Sequence, residues 1–252
     1  MFLSKINITK ESFVTDIVRE DYRAAKVFRK YDIDFCCGGK WPLGLVCESK
    51  GIEYSTIKNE LQNSFRNIHL SSSLRFDKWD VDFLIDYIIN VHHRYLQEFL
   101  PQVRDHLIHF VNDHADQYPN LKEIKIQFEE LYDEMFPHLR QEEEILFPYL
   151  KQITHAYKTR ESYASLLIRT LRKPVEIMQH EHEAVSVILK KFREFTNNYT
   201  PPENACISHR VAYSMLKELD NDLVQHVYLE NNILFPKAIE MERELLQTGC
   251  NY

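Results

Sequence analysis

The chain has 252 residues, 44% of them hydrophobic, which suits one large domain or two small ones with a sizeable core. Lys and Arg total 31 against 38 Asp and Glu, and the net charge of −7 argues against the basic face of a nucleic-acid binder. No apolar run approaches the roughly 18–20 residues of a membrane-spanning helix, and the opening MFLSKINITKES lacks the apolar stretch of a secretory signal, so a soluble, cytoplasmic protein is expected.

Residues 1–66 carry a net charge of +2 and read as a small helical module. Thr15 or Asp16 can cap a helix running through IVREDYRAAKVFRKY, DIDFCCGGKWPLG follows as a loop, and a second helix is expected near Ile57 to Phe65. The five cysteines (Cys36, Cys37, Cys47, Cys206, Cys250) are odd in number and sparse, so no disulfide scaffold is implied. The adjacent Cys36 and Cys37 could close on each other only through a strained ring, which leaves them as thiols that accept iron, react with NO or pair with another protein, or simply as turn residues before Gly38 and Gly39. HLSSSLRFD, His69 to Asp77, marks a linker over residues 67–78.

The 186 residues from 67 onward carry a net charge of −9, and beyond the linker residues 79–252 form the second region. Four of the five glycines lie at or before Gly51, and the 197 residues from Ile52 to Thr248 have none, which excludes a P-loop or dinucleotide fingerprint there. Four amphipathic helices are expected, at about Asp80–Val111 with a kink at Pro101, Leu121–Tyr157, Tyr163–Asn197 and Ser208–Leu246. The breakers QYPN and NNYTPPEN separate them, and an all-α antiparallel four-helix bundle follows.

A repeat runs through this bundle. His138 to Pro148 reads HLRQEEEILFP and His226 to Pro236 reads HVYLENNILFP, an offset of 88 residues. Each puts a His and a Glu one turn apart on one helical face, and each is matched to an upstream histidine, 45 residues before His138 and 44 before His226. Apolar stripes predict that these residues face inward: Phe128, Leu131, Met135, His138, Glu142, Ile145 on the second helix; Val175, Met178, His182, Val185, Leu189, Phe192 on the third; Leu219, Leu223, His226, Glu230, Ile233 on the fourth. On the first helix, His92 and His93 each fit a stripe. His182 fits better than His180, and the other six histidines, at 69, 106, 109, 114, 155 and 209, are expected at the surface.

Buried Glu142 and Glu230 demand compensation, because an unpaired buried carboxylate costs several kcal/mol. Four imidazoles and two carboxylates in mid-bundle suit a pair of metal ions. The set is too nitrogen-rich for calcium or magnesium and lacks the thiolates of structural zinc, so iron fits best, with manganese or zinc as alternatives. If both carboxylates bridge, each ion has two His and two carboxylate oxygens, and with an oxo or hydroxo bridge one position stays open for O2, NO or peroxide.

FRKYDIDFCCGGK (residues 28–40), the two ILFP repeats, MQHEHEA around His182 and TPPENAC before the fourth helix together resemble the bacterial iron–sulfur cluster repair proteins, the Repair of Iron Centres family. Those proteins join an N-terminal Cys-Cys module to a hemerythrin-like di-iron bundle. The resemblance implies iron ligands at His93, His138, Glu142, His182, His226 and Glu230, with Glu142 and Glu230 bridging two irons and a thiol role for Cys36 and Cys37. Pro137, immediately before His138, departs from a regular helix and predicts a kink there. The resemblance further implies iron donation to iron–sulfur proteins damaged by nitrosative or oxidative stress; separately, the N-terminal module could support a homodimer, although no surface pattern marks one. The rival readings are a di-iron enzyme that reduces NO and an O2 carrier or sensor of the hemerythrin kind.

Overall fold

The computed structural model describes residues 7–21, 23–35, 41–65, 74–159 and 171–249; apart from one isolated bridge between Phe13 and Pro42, the regular structure among them is helical. Residues 36–40, which hold Cys36 and Cys37, most of the linker and the expected start of the third bundle helix lie outside the described residues.

The N-terminal module contains α1 (Val14–Glu20), α2 (Ala24–Lys30), α3 (Leu43–Lys50) and α4 (Tyr54–Ser64). The single helix expected over residues 17–31 is two. Asp21 leaves the helical region at φ −148, and its carboxylate accepts from the backbone N–H of Arg23 at 3.0 Å and from the Arg23 guanidinium, so one residue ends α1 and starts α2. Thr15 and Asp16 do not cap; they lie inside α1, and Phe13 precedes it. The expected loop ends early because Pro42 preorganises α3, whose Gly44 lies against Lys10 so closely that a Cβ would meet its backbone oxygen at 3.1 Å.

Four long helices form the bundle among the described residues. The first joins α5 (Val81–Tyr87), a π-helical segment π1 (Ile88–His93) and α6 (Arg94–His114). The second joins α7 (Asn120–Gln141), π2 (Glu142–Leu146) and α8 (Phe147–Thr159). The third is α9 (Arg172–Phe195), and the fourth joins α10 (Ile207–Leu229), π3 (Glu230–Leu234) and α11 (Phe235–Gly249). The first packs on the second and fourth, and the third closes the ring between the second and fourth. Asp80 caps the first helix by accepting from the N–H of Asp82, and three residues with left-handed φ, Asn197, Asn198 and Tyr199, end the third.

Neither proline interrupts its helix: α6 runs through Pro101 and α7 through Pro137. Both rings lie on the solvent side, as do Gln97 and Asp133 four residues earlier, so the carbonyls that lose their bonds can turn to water. The departures from α geometry lie in the π segments instead.

In π2 the inward position moves by one residue, whereas in π3 Ile233 is buried as expected. Ile145, expected inward, is 67% exposed, and Leu146 is buried in its place. Two expected surface residues are buried as well. His106 bonds to the Ser208 carbonyl at 3.0 Å and to Arg29 of the module, whose guanidinium also reaches Asp105, so it joins the two parts of the chain. His209 lies among Phe110, Tyr118 and Tyr213.

The apolar interior falls into two clusters. One unites the module (Val14, Phe28, Leu43, Leu61) with one half of the bundle (Leu100, Phe128, Phe192, Leu219). The other fills the opposite half with Leu84, Phe147, Leu150, Met178 and Phe235. Each such side chain contributes roughly 1.5–3 kcal/mol by leaving water. The clusters meet at a buried polar layer.

Candidate metal centre

The polar layer holds His93, His138, Glu142, His182, His226 and Glu230, all buried. Their ligand atoms fall into two groups: His93, Glu142, His226 and Glu230, and His138, Glu142, His182 and Glu230, each within 4.8 Å of one another. Both carboxylates belong to both groups.

Local geometry builds this layer. Glu142 and Glu230 each follow a histidine by four residues and each open a π segment, while His93 closes π1. A π turn holds one more residue than an α turn, so adjacent residues can face the same side. That is why His92 and His93 are both buried, and why either stripe fits the sequence around them. They do different things. His93 joins the central group; His92 bonds through Nδ1 to Asp222 at 2.9 Å and stacks on the His226 ring at 5.8 Å between centroids. His180 faces solvent, as its stripe predicted.

Outside the layer, support passes from helix to helix in one rotational sense. Glu143 on the second helix holds Nδ1 of His93 on the first, at 2.9 Å. Glu181 on the third holds Nδ1 of His138 on the second, at 2.6 Å, and Asn231 on the fourth holds Nδ1 of His182 on the third, at 3.0 Å. His92 on the first helix stacks on His226 of the fourth and closes the cycle. Glu143, Glu181 and Asn231 each neighbour a central residue in sequence, but which helix they serve depends on packing, and sequence reasoning did not single them out.

A ring whose Nδ1–H donates to such an acceptor turns the lone pair of Nε2 inward. His93 Nε2 then faces His226 Nε2 at 3.1 Å, and His182 Nε2 faces His138 Nε2 at 3.2 Å. Between His138 and His182, whose Nδ1 atoms both have acceptors, lone pairs at that distance repel unless a proton or a cation lies between them. His226 differs, its Nδ1 being buried without a partner and its Nε2 lying 2.9 Å from Glu230 Oε1. Two nitrogens at about 2.1 Å from one ion and at right angles would be about 3.0 Å apart. The carboxylates are equally in need of a cation: both oxygens of Glu142 and Oε2 of Glu230 are buried without a hydrogen bond. The residues present therefore fit a metal pair.

Without metal, the layer compensates itself with protons. Burial alone would lower His93, but the carboxylates of Glu142 and Glu230 outweigh it and raise its pKa to about 10. Burial likewise opposes His182, yet Glu230 and Glu142 raise it to about 9. His226, wholly buried, is pushed down to about 4, with Glu230 opposing the shift. Burial and the nearby Glu230 charge raise Glu142, whereas Glu230 is held well below the usual carboxylate range, against its burial, by His226, His182 and His93.

Comparison with known proteins agrees with this architecture. Residues 10–64 match a domain of unknown function (DUF542), and residues 84–238 match the hemerythrin HHE cation binding domain. The probable iron-sulfur cluster repair protein of Haemophilus influenzae is 32% identical over 216 residues, covering 86% of this chain and 91% of that protein. The iron-sulfur cluster repair protein YtfE of Escherichia coli O81 is 32% identical over 228 residues, covering 87% of this chain and 93% of its own. YtfE of Escherichia fergusonii is 31% identical over the same span. No helix among the described residues is long and apolar enough to cross a membrane. With a DUF542 domain followed by a hemerythrin cation-binding bundle, and with such relatives along most of its length, the chain belongs to the family of iron–sulfur cluster repair proteins.

Proposed function

We propose that the chain restores iron–sulfur clusters damaged by nitrosative or oxidative stress by delivering iron to the damaged client. In this reading His93 and His226 hold one iron, His138 and His182 hold the second, and Glu142 and Glu230 bridge them. The observation that carries the proposal is the sharing of both buried carboxylates by two histidine pairs. Bound iron supplies the ion that a damaged cluster has lost. The names of the relatives support the client class.

The chain's own residues tune how firmly iron is held. Glu143, Glu181 and Asn231 fix three rings by their Nδ1 atoms and keep the Nε2 lone pairs available. Two carboxylates are a modest negative charge for two iron ions, which favours exchange over permanent retention. Protons compete for the same atoms: at neutral pH His93 and His182 take up protons when iron departs, which lowers the cost of leaving Glu142 and Glu230 buried without it. In the N-terminal module, Cys36 and Cys37 assist transfer as thiols.

The test is reactivation of an inactivated aconitase-type dehydratase by iron-loaded protein, beside free ferrous iron at equal concentration and beside Glu142→Ala. Recovery faster than with free iron, absent from the variant, supports the reading. Equal recovery in all three arms overturns it. Multiple turnovers of NO by the reduced protein, without client repair, would favour the enzyme reading instead.

A further inference from the structure

Twenty residues before His226 on the same helix, about 30 Å away along its axis, Cys206 occupies the N-cap of α10. It carries a thiol, and its Sγ accepts from the backbone N–H of His209 at 3.4 Å. His114, at the end of α6, places Nε2 3.3 Å from that sulfur. The His114 tautomer is fixed: Nδ1 lies 3.1 Å from the Phe110 carbonyl, a group that only accepts, so Nδ1 carries the hydrogen and Nε2 offers its lone pair to the thiol. Cys206 and His114 are both partly exposed.

A second histidine marks the place independently. His209 is 1% exposed, and neither ring nitrogen has a hydrogen-bond partner. Helical side chains lean toward the N-terminus, so a ring at the third helical position covers the Cys206 turn. There it shares the Phe110 ring with His114, at centroid distances of 4.9 and 5.0 Å. Burial and the neighbouring His114 together push His209 down to about 4, which keeps it neutral. Two unsatisfied nitrogens of a neutral imidazole, one helical turn from a sulfur that faces both a base and a helix N-terminus, are more than a helix cap requires.

We propose that Cys206 is a nucleophilic thiol that small hydroperoxides oxidise to a sulfenic acid, with His114 as its base. The S–H proton passes to His114 Nε2, and the resulting sulfur anion is stabilised by the His209 N–H and the helix N-terminus. Sγ attacks one peroxide oxygen; the S–O bond forms as the O–O bond breaks. The leaving hydroxide takes the proton back from His114 and departs as water. Sulfur gives up two electrons and the peroxide accepts them, so no further reductant or oxidant is needed. Cys206 is only partly exposed, which favours small oxidants over large ones. The site is separate from the proposed metal centre and does not depend on its occupancy.

The experiment uses the full iron-loaded chain. It is exposed to limiting iodoacetamide, or to hydrogen peroxide with dimedone, and each cysteine is then read by peptide mass spectrometry. Cys206 in the folded chain should alkylate roughly tenfold faster than in the urea-unfolded chain, and should form the dimedone adduct. His114→Gln should lose both effects while keeping its helical circular dichroism and iron content. A folded-chain rate at or below the unfolded rate overturns the proposal without recourse to any variant. So does an unchanged rate in a folded His114→Gln, or the absence of the adduct. Because the readout is chemistry at one sulfur, its failure would leave the proposed repair function untouched, and failure of client repair would leave this site standing.

Discussion

Glu142 and Glu230 occupy equivalent places in their helices: each is fully buried, each lies four residues after a histidine, and each opens a π-helical segment. They are electrostatically unlike. Glu142 is driven toward its neutral form by burial and by the charge on Glu230, whereas three imidazoles hold Glu230 ionised. Identical substitutions should therefore have different consequences in the metal-free protein. At pH 7, Glu230→Gln strands imidazolium charge and should cost about 3–5 kcal/mol, the scale of breaking a buried ion pair. Glu142→Gln replaces a carboxyl already inclined to neutrality and should cost less than about 1.5 kcal/mol, the scale of one hydrogen bond. Urea unfolding of chelator-treated protein measures both. Equal losses would show that the carboxylates share the charge evenly. Both variants should lose metal.

The outer acceptors give a graded prediction. Glu181→Gln and Glu143→Gln keep shape but weaken the hold on His138 and His93, and each should lower metal affinity by about 10–100-fold, the usual effect of such partners. Glu144→Gln serves as the control, since Glu144 is exposed and pairs with Arg140 on its own helix. Competition with a chromophoric chelator reads the affinities. A Glu144→Gln effect as large as that of Glu181→Gln would mean that net charge near the bundle governs affinity, and the Nδ1 contacts do not.

How far the sequence reveals this centre depends on which link is asked about. The ILFP repeat and the inward stripes bring out His138, Glu142, His182, His226 and Glu230, because helical periodicity reports a buried face directly. The same periodicity fails at π turns. It cannot choose between His92 and His93, which are both buried, and it puts Ile145 inward where Leu146 belongs. The split of the module at Asp21 depends on one side-chain cap, and the burial of His106 on its docking against Arg29. The outer partners Glu143, Glu181 and Asn231 serve neighbouring helices. Such contacts between elements leave no periodic trace in one sequence.

Acid sensitivity can be assigned to one of these buried histidines. His209 has a folded pKa of about 4, lowered by burial and by His114, against an ordinary value of 6.5. The unfolded chain therefore binds more protons between those two values, and the stability due to His209 is intact above pH 6.5 and falls as pH drops toward 4. Comparing wild type with His209→Leu cancels the other titrating groups. The variant should lose less stability between pH 7.5 and pH 5, read as urea midpoints. Parallel losses in the two proteins would show that His209 takes up no extra proton on unfolding.

At π1, function and stability should part. Asn90 is an exposed residue within this segment. Deleting it would remove the one residue that a π turn has beyond an α turn. The inward stripe Ile85, Ile88, His93, Leu96, Leu100 would then follow regular steps of three and four, so the helix could still bury its apolar face. His93 would remain inward, but the axial distance across the segment would shorten by about 1.5 Å, and His92 would move to the flank of the stripe, away from its stacking place on His226. Metal-free stability should hold or rise, because a regular hydrogen-bond ladder replaces an irregular one. Metal content should fall, because His93 can no longer meet Glu142 and Glu230 at the height set by the other three helices. Asn90→Ala, which keeps the residue count, should preserve both. Metal content by mass spectrometry and urea midpoints of the chelated protein decide the matter. A deletion variant that keeps its metal would mean that the π turn serves packing alone, and one that loses both metal and fold would mean that the helix depends on the turn for its register.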